Sequence, residues 1–328
     1  MNAKIRWGIL GTGNIAKQFA QGLTVLPDAE LLAVGSRAEK PAKKFAKKFN
    51  VGRAYPSYEQ LANDKDIDVI YISTPHTFHM ENTMLALNAG RAVLCEKPFA
   101  INATQAMKMI DLARKNKLFL MEAMWTRYLP VISKVRQLLD EGIIGQPEFV
   151  QADFGYACAW KPKHRVLNPE LGGGALLDVG VYCISFASMV FKSEPASIKS
   201  NTYIGKTGVD EQSSMTLSYN DGQIAELECA INKVTPQQAL IRGTKGAIKI
   251  HRPFWKATAA NISIDGKEEQ LLEIPLEGNG YNYQASVVMD CLRAGKTESD
   301  IMPLDETLSI MKTMDKIRAQ WHLKYPCE

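Results

Sequence analysis

A glycine-rich turn between an apolar run and a helix-forming stretch constrains this chain more than any other feature. Residues 5–10 read as a short apolar strand that ends in Gly11-Thr12-Gly13-Asn14-Ile15-Ala16, which opens a helix predicted over 14–26 and stopped by Pro27. A second apolar strand is predicted at 31–34. Strand, turn, helix and strand in this order, within about 30 residues, form the fingerprint of a dinucleotide-binding βαβ unit. Each residue type has a reason to be there. Gly11 permits the tight turn, Gly13 lets the backbone approach a pyrophosphate, and small Ala16 lets helix and strand pack closely. The first turn of the helix, with Thr12, Asn14 and Ile15, offers free N–H groups and a partial positive charge to the anion. At the end of the second strand stand Ser36 and Arg37. Chains that take the unphosphorylated cofactor usually carry an acid near this point. A hydroxyl and a guanidinium suit a 2′-phosphate instead, so NADP is expected in preference to NAD.

Alternation of strand and helix continues to about residue 125, with strands at 69–73, 92–95 and 118–121 and helices at 39–49, 78–88 and 104–116. Near-continuous apolar strands between amphipathic helices indicate a parallel sheet covered on both faces. Beyond Trp125 the pattern changes to alternating strands. Asn220-Asp221-Gly222 is a strong hairpin signal, and 243–246 and 265–266 are further turns. Helices are expected over 131–140, 175–190 and 304–321. The fold class is therefore α/β: a Rossmann domain with a parallel sheet over 1–124, then an α+β domain over 125–328. The second domain has an open, mainly antiparallel sheet, and its last helix is free to pack on the first.

The chain has 328 residues, 46% hydrophobic and 23% charged, with a formal charge of +4. These values suit two folded domains and argue against disorder. The mild charge gives no reason to expect nucleic acid or a membrane as a partner. No apolar run reaches the ~18–20 residues that span a bilayer, and the first residues lack the layout of a signal peptide. Six scattered cysteines, none at Cys-x-x-Cys spacing, read as reduced thiols. A cytoplasmic location is the expectation, and no metal site is expected.

The next motif is Glu96-Lys97-Pro98 at the end of a strand, with Thr74-Pro75-His76 and His79 upstream and Gly172-Gly173-Gly174-Ala175-Leu176-Leu177-Asp178 downstream. Together these resemble the Gfo/Idh/MocA oxidoreductase family over nearly the whole chain. Glu122-Ala123-Met124-Trp125-Thr126-Arg127 resembles its dimeric dihydrodiol dehydrogenase and D-xylose dehydrogenase branch still more closely. The resemblance implies a small sugar or cyclic vicinal diol as substrate, and a homodimer or larger homo-oligomer formed through the second sheet. Thr74, Pro75, His79, Glu96 and Lys97 would join the cofactor site. One departure is informative. Where much of the family has a histidine acid–base group, this chain reads Asp178-Val179-Gly180-Val181-Tyr182.

Oxidising an alcohol requires loss of the hydroxyl proton. A tyrosine, with an ordinary pKa of about 10, is a poor base unless a nearby cation favours phenolate. Lys97 supplies that cation, so Lys97 and Tyr182 are the expected catalytic pair. Asp178 is expected beside them, placed with Tyr182 at i, i+4 on one helix face. Trp125, Phe154 and Tyr156 are candidates to line the substrate pocket, and Arg165 to clamp substrate hydroxyls. The same residues could run a keto-sugar reduction, and a non-catalytic NADP-binding regulator is the alternative outside enzymes.

Overall fold

The structure, a computed structural model, describes residues 3–328. It comprises two compact units. The first holds the residues up to Trp125 together with Glu277–Leu308. Its strands are β1 (Ile5–Leu10), β2 (Ala29–Gly35), β3 (Arg53–Tyr55), β4 (Val69–Ile72), β5 (Ala92–Glu96) and β6 (Leu120–Ala123). They form one parallel sheet in the order β3-β2-β1-β4-β5-β6. Its helices are α1 (Asn14–Leu23), α2 (Glu39–Phe49), α3 (Tyr58–Ala62), α4 (His79–Asn88) and α5 (Ala103–Asn116). Residues of β1, β4 and β5 are almost wholly buried, as a parallel sheet covered on both faces requires. The expected Rossmann sheet is present.

The second unit runs over Thr126–Leu276 and Ser309–Glu328. After α6 (Pro130–Asp140) come β7 (Pro147–Gly155), α7 (Val181–Phe191), β8 (Ser197–Ile204), β9 (Asp210–Ser218) and β10 (Ile224–Ala230). They are followed by β11 (Ala239–Gly243), β12 (Gly246–Ile250), β13 (Ala259–Ile264) and β14 (Gln270–Glu273). These strands make one sheet in the order β14-β13-β12-β11-β7-β10-β9-β8. All neighbours are antiparallel except β7 and β10, so the sheet is mainly antiparallel, as expected. The Asn220-Asp221-Gly222 turn joins the antiparallel pair β9 and β10. On β10, buried Ala225, Leu227 and Cys229 alternate with more exposed neighbours, and one face of the sheet carries α7.

Two features depart from the sequence reading. First, Glu277–Leu308, with helix α8 (Tyr281–Arg293), returns to the first unit. Asn279 donates to the Gln18 carbonyl at 2.8 Å, Arg293 pairs with Asp28 at 2.6 Å, and the Leu120 N–H donates to the Thr297 carbonyl at 3.0 Å. Helix α9 (Leu304–Gln320) contains the point where the chain passes back to the second unit. Second, Pro169–Phe191 forms a helical stretch long and apolar enough to cross a bilayer, although glycines and Asp178 hide it from a count of consecutive apolar residues. It is almost entirely buried in the protein and serves as a core helix.

Candidate functional site

In the first unit an open cleft lies at the carboxyl ends of β1, β2 and β4. This is the place where the strand order reverses, and where open α/β sheets bind ligands. Gly11, Thr12 and Gly13 form one wall. Gly11 has φ +110°, and a Cβ there would stand 2.7 Å from the Ser73 Oγ, so the turn requires glycine. A Cβ on Gly13 would meet nothing within 4 Å. The bare backbone of Gly13 leaves room for a group to lie against it. No side chain caps α1 at Gly13, so the first-turn amides, including those of Asn14 and Ile15, remain available to an anion. These residues fit a dinucleotide pyrophosphate.

Ser36 and Arg37 form the opposite wall with Tyr58. Ser36 is buried, while Arg37 is exposed and pairs with no carboxylate among the described residues. Burial pushes the Tyr58 phenol up, and the nearby Arg37 charge pulls it part of the way back. Tyr58 escaped the sequence reading because α3 is only five residues long. The available signal was Ser57-Tyr58-Glu59-Gln60, a capping-box pattern in which the Ser57 Oγ accepts from the Gln60 N–H at 3.3 Å. Phe78, a further wall residue, was also missed.

Thr74 and Pro75 close the cavity after β4. His79, fully buried, ties this loop to the one after β5: Nε2 lies 2.9 Å from the Thr74 carbonyl oxygen and Nδ1 lies 2.8 Å from that of Pro98. Glu96 is turned inward, 5% exposed, and accepts from the Tyr71 hydroxyl and from the Lys97 N–H. Its contacts therefore hold the Lys97 backbone. Lys97 itself is half-buried at the end of β5. Trp125 stacks on Tyr281 with ring centroids 4.5 Å apart.

In the second unit the helix expected over 175–190 begins as a π-turn, Leu176–Gly180, before α7. A π-turn carries an extra residue and closes i→i+5 rather than i→i+4 bonds, so Asp178 and Tyr182, four residues apart, stand just short of one turn instead of just past it, and both still lie toward one face. Such turns are common at functional sites. Asp178, 3% exposed, accepts from the Tyr156 hydroxyl at 2.7 Å through Oδ2 and pairs with Arg165 at 2.8 Å through Oδ1. The structure thus brings Tyr156, Arg165 and Asp178 together. Burial, and then the Asp178 charge, push the Tyr156 phenol well above its ordinary value, so it remains a donor. Tyr182, 7% exposed, packs against Phe154 at 5.4 Å, and Phe154 stacks flat on Trp255. The Thr126 hydroxyl donates to the Trp255 carbonyl at 2.8 Å and fixes that loop. Among the described residues, no three His, Cys, Asp or Glu side chains gather as metal ligands.

A parallel sheet in the 3-2-1-4-5-6 order, with a bare glycine turn at its switch point, defines a nucleotide-binding Rossmann domain. Residues 5–124 match the oxidoreductase family described as having an NAD-binding Rossmann fold, and residues 132–249 match the GFO/IDH/MocA C-terminal domain. The chain belongs to the Gfo/Idh/MocA oxidoreductase family. It is 40% identical to trans-1,2-dihydrobenzene-1,2-diol dehydrogenase of Xenopus tropicalis, covering 98% of this chain and 99% of that one. A 3-ketoreductase from Actinomadura kijaniata, solved with NADP and TDP-benzene, has a TM-score of 0.84 at 25% identity, covering 96% of this chain and 97% of that one. An aldose-aldose oxidoreductase from Caulobacter crescentus shares the fold, with a TM-score of 0.88 at 23% identity and the same coverage.

Proposed function

We propose that the protein is an NADP-dependent oxidoreductase acting on the CH–OH group of a cyclic vicinal diol or a sugar. The observation that carries this reading is the full-length match, at 40% identity, to a dihydrodiol dehydrogenase. The coenzyme, when bound, accepts or donates the hydride. The amides of the Gly13 turn would hold its pyrophosphate, and Ser36 with Arg37 its 2′-phosphate. Thr74, Pro75 and His79 would shape the remainder of that cleft.

Lys97 Nζ and Tyr182 Oη handle the proton. The ammonium lowers the cost of phenolate at Tyr182, which takes the proton from the substrate hydroxyl and returns it in the reverse direction. Asp178 acts indirectly in this scheme: it holds Tyr156 and Arg165, leaving their remaining surfaces to orient the substrate. The flat aromatic face at Phe154–Trp255 suits the ring of a cyclic substrate.

A second reading, keto-sugar reduction by the same residues, draws on the likeness to the 3-ketoreductase. One experiment addresses both. NADPH absorbance is followed with trans-1,2-dihydrobenzene-1,2-diol and aldoses in the oxidising direction, and with keto sugars in the reducing direction. Oxidation of a diol or aldose is the expected result. Tight NADP binding without turnover in either direction would overturn the enzymatic reading in favour of a regulatory one.

A further inference from the structure

The end of the chain reaches the triple-glycine turn that precedes the π-turn. Tyr325, 3% exposed, donates its hydroxyl hydrogen to the Gly173 carbonyl at 2.7 Å. The tail is fixed in this position by Arg318 of α9. Arg318 donates to both carboxylate oxygens of Glu328 at 2.8 and 2.9 Å and to Asp315 at 2.8 Å, and lies 5.2 Å over the Tyr325 ring. From another direction comes Asp210, the first residue of β9, which is fully buried. Its Oδ2 accepts from the Leu176 N–H, the first residue of the π-turn, at 2.6 Å. Its Oδ1 has no hydrogen-bond partner and faces Gly174, where φ is +120° and a Cβ would collide with it. Two groups far apart in sequence therefore grip the backbone at 173 and 176, immediately before Asp178 and Tyr182.

We propose that Asp210 and Tyr325 are positioning residues that hold the π-turn in register and thereby set where Asp178 and Tyr182 stand. This rests on the assignment of those two residues to the substrate site. The physical reason lies in the extra residue. If the turn relaxed to α-helical register, the residues beyond it would rotate by roughly 100° relative to those before it. A backbone N–H at a helix start has no partner within the helix, so an external acceptor at Leu176 is what fixes the register there. Asp210 is also surrounded by groups that bear on its charge: Arg318 from α9, Tyr325 from the tail, Ser213 on its own strand and Cys229 from β10. Burial pushes its carboxyl up to about 7.

The test compares Tyr325→Phe, Asp210→Ala and Asp210→Asn with wild type by kcat, NADP affinity and amide hydrogen exchange over 174–182. Tyr325→Phe and Asp210→Ala should each lower kcat about tenfold, roughly what one buried hydrogen bond is worth, and speed exchange in that segment. NADP affinity should stay within about twofold, since the cofactor residues belong to the first unit. Asp210→Asn keeps an acceptor for Leu176 and should recover most of the rate. It should also remove any step in the kcat–pH profile near neutrality that wild type shows. Unchanged kcat and unchanged exchange in Tyr325→Phe overturn the proposal, as does a parallel loss of NADP affinity and rate. A fast Tyr182→Phe enzyme instead removes the assignment on which the proposal rests. Accelerated exchange over 174–182 would then still identify the grip on the turn.

Discussion

The phosphate cleft of the first unit and the polar cluster of the second do comparable work by opposite means. The first is open and built from backbone: a bare Gly13, uncapped amides at the start of α1 and an exposed Arg37. The second is closed and built from side chains: Asp178, Tyr182 and Asp210 are each less than a tenth exposed. A backbone site is encoded in a few consecutive residues, because peptide geometry supplies the donors. A side-chain site depends on packing between distant segments, so its parts fail one at a time and by different amounts.

Mutations at the two sites should therefore separate binding from chemistry. Lys97→Met should have the largest effect, lowering kcat by ~10²–10⁴-fold while the protein stays folded and binds NADP. Retention of more than about a tenth of the rate would remove Lys97 from proton handling. Tyr182→Phe loses only a hydroxyl and should cost about 10²-fold in kcat, with NADP affinity unchanged. A normal rate with an unaltered pH profile would assign the proton to Lys97 or to water.

Arg37→Ala probes the open site, where affinity should change and chemistry should not. Hydrogen bonds to charged groups are worth ~1.5–3 kcal/mol, so NADP should weaken by roughly ten- to a hundredfold while NAD barely changes. Paired titrations measure this, and equal affinities in wild type would place Arg37 outside the phosphate site. The smallest effect concerns stability. The folded-state carboxyl of Asp210 titrates at about 7, above an ordinary aspartate, so its stabilising contribution is full at low pH and is lost as pH rises through about 7. Asp210→Asn should therefore raise the melting temperature more at pH above 7 than in acid, by about 2–4 °C per kcal/mol regained. An equal gain at both pH values would mean that Asp210 does not titrate in this range.

The same contrast explains what was legible in the sequence. The strand–turn–helix at Gly11, the parallel sheet and the β9–β10 hairpin follow from local rules, and so do Ser36 and Arg37 in the cleft. β3 carries Arg-Ala-Tyr and β14 is mostly exposed, so neither shows an apolar strand signal. The π-turn is invisible because its residues suit an α-helix, while Asp210 and Tyr325, brought in from elsewhere, grip the backbone leading into it. The return of Glu277–Leu308 depends on partners such as Asp28 and Gln18, more than 250 residues away. The aromatic partners Trp255 and Tyr281 carry no motif either, and the backbone chain places them beside Phe154 and Trp125 only in the fold.

The proposed reaction moves a hydride between a carbinol carbon and the nicotinamide of NADP. A vicinal diol deuterated at its carbinol carbons, incubated with the wild-type protein and NADP and followed by mass analysis of the recovered cofactor, traces that hydride. NADPH carrying one deuterium from the substrate is the expected product, formed far more slowly by Lys97→Met. Product formation without deuterium in the cofactor would rule out direct hydride transfer.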